Sequence, residues 1–430
     1  MKKILTGLLI VFLMATTLIL GWDKYQERKL RLVQNNIQNN THPKVSVPVQ
    51  KQWKGEFNLD NGVSLSNDFD GARLNGAVSK NDSLISVLIT PENTPVKSNP
   101  WYAFKIWSDE SKEVYIKFTY PEGISHRYYP KISSDGSNWV DLDQEQIVSY
   151  PGLGENNNPD KADREAIIRI NTGPDTLWIA ANKMVSSADV ESWLDSLSQN
   201  SFVTTENIGS SHQNNPIYAV RIDDSEAKKN IIVMARQYPS MSVGTLAMQS
   251  FINQIIQDTE LANSFRSEYN VILFPHINPD GVDQGNWSHN MGGVNLTEDW
   301  GQQTMQPEIR AIKSHIESLA SKDDNSFYLN IDIRSNRESI LYVYNADSTN
   351  RMNALTMDIA EAVDEYLPEY TPSIKTRQSG DNYYIAEDYY YKKFGMESLV
   401  VIIDEDSTHD LIDKKGRALA ESVMEHLMKL

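Results

Sequence analysis

The chain has no cysteine among its 430 residues. That excludes disulfides, thiolate zinc sites, a cysteine nucleophile and an N-terminal lipoprotein cysteine, and it leaves the redox compartment undetermined. Positive charge is also scarce: 40 Lys and Arg against 58 Asp and Glu give a formal net charge of -18 and a pI near 4.9. A phosphate backbone would be repelled and no clustered basic stripe relieves this, so no nucleic-acid partner is expected. Phosphate-loop and dinucleotide glycine patterns are missing, and so are solenoid repeats and low-complexity tracts. Histidine is limited to eight residues: His42, His126, His212, His276, His289, His315, His409 and His426. None has Glu or Asp three residues later, and neither His-x-x-x-His nor His-x-His occurs, so the chain holds no local zinc motif.

One long apolar run is present. After Lys2 and Lys3, an uncharged stretch runs from Ile4 to Trp22, close to the hydrocarbon thickness of a bilayer and longer than an ordinary signal-peptide core. Residues 1–22 are expected to be a membrane anchor or a signal segment, with length favouring the anchor. Lys24, Arg28, Lys29 and Arg31 follow the span, so the basic flanks do not decide orientation. Such N-terminal segments usually lead export, which places the body outside the cytoplasm, at the cell envelope. Residues 23–52 are polar, with Pro43 and Pro48, and read as a linker.

Two further patterns divide the remainder. Residues 53–183 alternate short apolar-polar segments (AFKIW, VYIKFTY, TLWIA) with turn clusters such as DFDG and SSDGSN, which predicts an all-β sandwich. From 184 to 430, apolar runs (NIIVMARQ, NVILFPHINP, SFYLNIDI, SLVVIID) alternate with helical patterns (GTLAMQSFINQIIQ, PEIRAIKSHIESLA, NALTMDIAEAVDEYL). That order predicts an α/β domain with a mixed, largely parallel central sheet flanked by helices, and sites at the carboxyl ends of its strands. Ser186 and Ser187 precede ADVESWLDSL as a helix start.

The most specific local signal is FPHINPDGVDQGNW at 274–287, followed by HNMGGVNLTEDW up to Trp300. Asn278-Pro279-Asp280-Gly281 reads as a tight turn closing a strand. With the downstream GNW, GGV and L-x-x-x-W spacing, the segment resembles the carboxypeptidase A-like zinc metallocarboxypeptidases, in particular their cytosolic carboxypeptidase-like subgroup. NPWYAFKIW at 99–107 and RYYPKISSDGSNW at 127–139 resemble the β-sandwich that precedes the catalytic domain in that subgroup. The resemblance spans roughly residues 53–425.

It implies zinc held by three protein ligands, with a water that a nearby Glu deprotonates, and Arg residues that grip a terminal carboxylate. The first two ligands belong to an H-P-x-E type turn, where ARQYPSMSVGT has Tyr238 for His and Met241 for Glu. A neutral phenol is a poor donor and a thioether too soft for zinc. The third belongs to a D-F-H-S type strand end, where FYLNIDIRSN has Arg334, which stays protonated. At the base position SLVVIIDEDSTHD has Ile402, although a shift of two or three residues would offer Asp404 or Glu405. Ser288 stands for a substrate-binding Arg, and Thr297-Glu298 for an Asn-Arg pair.

The resemblance therefore implies a degenerate site without zinc and a catalytically inactive metallocarboxypeptidase-like protein. Its role would be a binding or scaffold module for an unknown peptide, glycan or protein ligand. A peptide hydrolase with an altered site is the alternative, with Arg334, Glu298 and Asp404 converging in the cleft. Arg334 is expected to pair with Glu298 or another nearby carboxylate, since an unpaired buried cation is costly. Tyr383 is the nearest candidate for a substrate-contacting tyrosine, while the aromatic stretch around it reads more readily as a helix face packed on the sheet. His276 and His289 are given no metal role.

Overall fold

The computed structural model describes residues 47–96, 98–150, 166–223, 229–301, 306–322, 325–345, 355–378 and 384–430. The expected membrane segment 1–22 and the linker as far as Ser46 lie outside these residues, as does Tyr383. Among the described residues no helix is long and apolar enough to cross a membrane. Val47–Gln52, read from the sequence as linker, are tied to the body. Asn93 Nδ2 donates to Val47 O at 2.8 Å, the Gln50 N–H to Glu92 O at 2.7 Å, and Gln52 Nε2 to Ala72 O at 2.5 Å.

Alternating burial builds the sandwich. In the strand Lys112–Thr119, Val114, Ile116 and Phe118 are buried while the residues between them are partly exposed, because successive side chains leave a strand on opposite faces. This strand lies in a five-stranded sheet ordered Gly76–Ser79, Leu84–Leu88, Lys112–Thr119, Ile167–Thr172, Ile147–Ser149. Facing it is a six-stranded sheet ordered Glu56–Asn58, Val63–Ser66, Ala103–Ser108, Leu177–Ala180, Lys131–Ser133, Val140–Asp141. The two share one core, with Val63, Leu65, Phe104 and Ile179 from one sheet meeting Ile85, Ile116, Phe118 and Ile168 from the other.

The third sheet has eight strands, ordered Val203–Ser210, Pro216–Ile222, Tyr269–Phe274, Lys229–Ala235, Ser326–Asn336, Glu397–Asp404, Ile340–Asn345, Ser373–Gln378. Its central strands, from Tyr269–Phe274 to Glu397–Asp404, run parallel, and antiparallel pairs flank them. The fold is thus the mixed α/β sheet that the alternation predicts. Both faces are covered. Ile231 and Val233 turn to a core shared with helices Ser242–Ile255, Leu355–Tyr366 and His409–Leu427. Ile232 and Met234 turn to the opposite core with helices Pro307–Ala320 and Ala386–Phe394. A strand buried on both sides needs an unbroken apolar run, which is what NIIVMA supplies. Tyr390 is fully buried in the second of these cores, so the aromatic stretch does form a packed helix face.

The helix Ser187–Leu197 starts as expected, with Ser186 and Asp189 forming a reciprocal capping box. Asn278-Pro279-Asp280-Gly281 differs from the expected tight turn. It opens a short helix, Pro279–Asp283, in which Asn278 caps the Gly281 N–H and Pro279 occupies the first turn. The reason is that an Asn cap followed by Pro suits a helix start as well as a turn. The buried Asp280 carboxylate selects the helix by accepting from Ser211 Oγ, the Gln213 N–H and Asn215 Nδ2.

The sandwich and the α/β part are joined by buried polar groups. Glu92 accepts three backbone N–H groups, from Trp287, Ser288 and His289, at 2.7–2.9 Å. Arg73 donates to Gly285 O, Gln284 O and Asn286 Oδ1. The Trp287 ring enters the sandwich core itself, with Nε1 donating to Trp101 O.

Candidate functional site

Three segments meet at the carboxyl end of the central strands. The first follows the strand Lys229–Ala235. Arg236 adopts a left-handed backbone with φ 60°, a conformation that costs a non-glycine residue roughly 1–2 kcal/mol. Its guanidinium holds the turn by donating to Pro239 O at 2.8 Å and Thr245 Oγ1 at 3.2 Å, and burial pushes its pKa down to about 9. Beyond it come Gln237 and Tyr238, and then Met241, which precedes the helix Ser242–Ile255 without a side-chain capping bond.

The second segment is the end of the strand Ser326–Asn336. A Cβ on Gly244 would approach the Arg334 backbone within 2.7 Å, so the helix start and the strand end are in direct contact. Close approach at this crossing requires glycine. The third is the strand Glu397–Asp404, where Ile402 lies beside Arg334 in the parallel register. Tyr238, Met241, Arg334 and Ile402 are therefore brought to one end of the sheet.

Arg334 is the electrostatic centre of this end. Its Nε and Nη2 donate to Asp332 Oδ2 at 2.8 and 2.5 Å, and Nη2 also reaches Glu387 Oε1 at 3.0 Å. Both acids are buried, at 0% and 1% side-chain exposure. Burial disfavours the guanidinium charge, but the charges of Asp332 and Glu387 outweigh it and its pKa is raised. Burial raises the Glu387 carboxyl against the opposing charge of Arg334. Gln237 completes the cluster, with Nε2 2.6 Å from Asp332 Oδ2 and Oε1 accepting from Trp300 Nε1. Tyr238 is almost fully buried, and its hydroxyl accepts from Asn295 Nδ2 at 3.0 Å and meets Thr297 Oγ1 at 3.3 Å.

The acids that meet Arg334 are thus Asp332 and Glu387, fulfilling the expectation of a nearby carboxylate with partners other than the one singled out. Asp332 could have been found in the sequence, since residues two apart on a strand share a face. Glu387 could not, because it arrives from a helix 53 residues away.

The other candidates are placed as follows. Ser288 is fully buried, receives Asn99 Nδ2 at 3.3 Å, and lies on the loop that Glu92 anchors. Glu298 is half-buried on the same short 3-10 turn as Thr297. Asp404 accepts the Asp406 N–H at 3.0 Å within its own turn. Glu405 is bound by Arg127 of the sandwich at 2.8 and 2.9 Å. Glu397 is on the same strand as Ile402 but pairs with Leu329, at the far end from Arg334. His276 shares a hydrogen bond with Ser187 Oγ and is pushed down to about 3 by burial, with Arg236 adding to the effect. His289 is engaged with Asn93.

The fit to zinc can be tested from these donors. Zinc needs three ligands with lone pairs free for the metal. The end of the sheet offers a phenol, a thioether and a guanidinium that already holds two carboxylates. These do not fit the metal, and among the described residues no group of three or more His, Asp or Glu side chains is placed to hold one.

Comparison with known proteins identifies the architecture. Residues 190–399 match the zinc carboxypeptidase family. This match supports a carboxypeptidase A-like zinc carboxypeptidase assignment. Cytosolic carboxypeptidase 3 of Bos taurus is 21% identical over 324 residues, which cover 69% of this chain and 32% of that protein. Cytosolic carboxypeptidase 2 of Homo sapiens is also 21% identical, over 68% of this chain and 35% of its own length. The chain spans about a third of the length of these curated relatives. Among solved structures, a metallo-carboxypeptidase from Burkholderia cenocepacia superposes with a TM-score of 0.70 at 17% identity, covering 85% of this chain and 99% of its own. One from Pseudomonas aeruginosa gives 0.66 at 14%, with the same coverage. At these identities the superpositions establish the fold.

Proposed function

We propose that this protein is a catalytically inactive member of the family, a metal-free binding or scaffold module that takes a peptide, glycan or protein ligand at the cell envelope. The observation that carries the reading is the Arg334 guanidinium held by Asp332 and Glu387 at the strand end where a zinc ligand is expected. It places a permanent cation where the metal charge would stand, and a cation repels a metal ion. The neighbouring Ile402 cannot take a proton from water. Nor do the acids two and three residues beyond it rescue hydrolysis, since Asp404 accepts the Asp406 N–H within its own turn and Glu405 is paired with Arg127. Membrane attachment would come through residues 1–22.

The test is metal analysis of the purified full chain combined with an assay for release of C-terminal residues from peptides. The reading expects neither bound zinc nor release after zinc is supplied. Stoichiometric zinc with peptide cleavage overturns it.

A further inference from the structure

We propose that the cavity between the sandwich and the carboxyl end of the central sheet binds an oxyanion group, carboxylate or phosphate, through Arg337. The cavity is open to solvent and has a volume of about 380 Å³. Ser98, Ser125, His126 and Arg127 line it from the sandwich, and Asn336 and Arg337 line it from the end of the strand Ser326–Asn336 and the residue after it.

Most of this lining is already committed. His126 uses both ring nitrogens, on Tyr120 and on the Tyr128 carbonyl. Arg127 is fixed by Glu405, Asn99 and Asn336, which makes it a rigid wall and cancels the Glu405 charge. Asn336 Oδ1 accepts from both Arg127 and the Arg337 N–H. What is left uncommitted is one donor-only guanidinium and two hydroxyls that can donate. The exposed Arg337 guanidinium makes no side-chain hydrogen bond or ion pair with any described residue, and the Ser98 and Ser125 hydroxyls make no hydrogen bond to one.

A concave site with two hydroxyls available and a guanidinium that, among the described residues, has the Glu405 charge nearby but no direct ion pair is complementary to an oxyanion. The planar fork of arginine matches carboxylate and phosphate oxygens in pairs. The surrounding net charge of -18 makes such a local cation the more distinctive feature. Arg337 follows Arg334 by three residues, so the cavity opens at the same end of the sheet as the proposed ligand cleft. The inference does not depend on the absence of metal and would hold for an active peptidase as well.

The experiment titrates the full chain with inorganic phosphate, and separately with succinate, at constant ionic strength, following heat of binding and the unfolding midpoint. Saturable binding of at least one anion is expected, with the preferred anion naming the source of the oxyanion. Arg337→Ala should weaken binding about tenfold or more, as loss of a charged hydrogen-bond donor does. Arg337→Lys should keep part of it, and Arg377→Ala, on the edge strand Ser373–Gln378, should leave it unchanged. Arg337 is exposed, so the anion-free unfolding midpoint of the alanine variant should match that of the parent. Failure of both anions to saturate, or unchanged affinity in Arg337→Ala, overturns the proposal.

Discussion

Replacing Arg334 by methionine keeps much of the side chain's bulk and removes the only cation that meets Asp332 and Glu387 among the described residues. Two acids with 0% and 1% exposed side chains then lose the cation that they share. Breaking a buried pair in this one-sided way costs roughly 3–5 kcal/mol. That is a large share of the roughly 5–15 kcal/mol by which a domain is stable. The loss should also depend on pH. Glu387 is already raised by burial, and the variant removes the Arg334 charge that opposes the rise. Its folded state then binds the proton more tightly than the unfolded state, so the penalty is smallest at low pH and grows as pH rises through the folded value. Adding Asp332→Asn and Glu387→Gln to Arg334→Met removes the stranded charges and should recover most of the stability. Denaturant midpoints at pH 5 and pH 8 for the single and triple variants make the comparison. A single variant within about 1 kcal/mol of the parent at pH 8, or a triple variant no more stable than the single, would refute the reasoning.

Three further outcomes follow from the same geometry. Glu92→Ala leaves two buried N–H groups and one partly buried N–H group of the Trp287–His289 loop without an acceptor and should destabilise the fold by about 3 kcal/mol or more in urea melts, with Glu92→Gln milder. Burial raises Glu397 to about 7 from its usual 4.5 against donation by Thr356. Its contribution is fully present below pH 4.5 and lost as pH rises through 7, so Glu397→Gln should flatten the decline in stability between pH 5 and 8 by about 3 kcal/mol. Finally, Tyr238→His, Met241→Glu and Arg334→His together restore three zinc-binding side chains. If the positions converge as the Gly244 crossing indicates, the triple variant should bind zinc by isothermal titration; a folded triple variant that does not bind would contradict the placement.

Much of the fold was legible in the sequence because it is written in period and spacing. Val114, Ile116 and Phe118 announce a half-buried strand, NIIVMA announces a doubly buried one, and Ser186 with Asp189 announces a helix start. The site was legible only where its parts are local. Arg334 stands out because guanidinium cannot serve the chemistry its segment resembles, and Asp332 sits two residues away on the same strand face. Glu387, the Arg127–Glu405 pair and the Glu92 anchor were not legible, since each joins residues far apart in sequence and no local pattern marks a tertiary ion pair. The turn assigned to Asn278–Gly281 became a helix for a similar reason, because its choice was made by Ser211, Gln213 and Asn215 on a distant hairpin.

The most direct test of the central claim is the zinc content of the purified full chain after incubation with zinc and removal of excess metal, read alongside C-terminal residue release from a peptide library. The Arg334–Asp332–Glu387 cluster predicts no retained zinc and no release. One zinc per chain accompanied by release of C-terminal residues would contradict it.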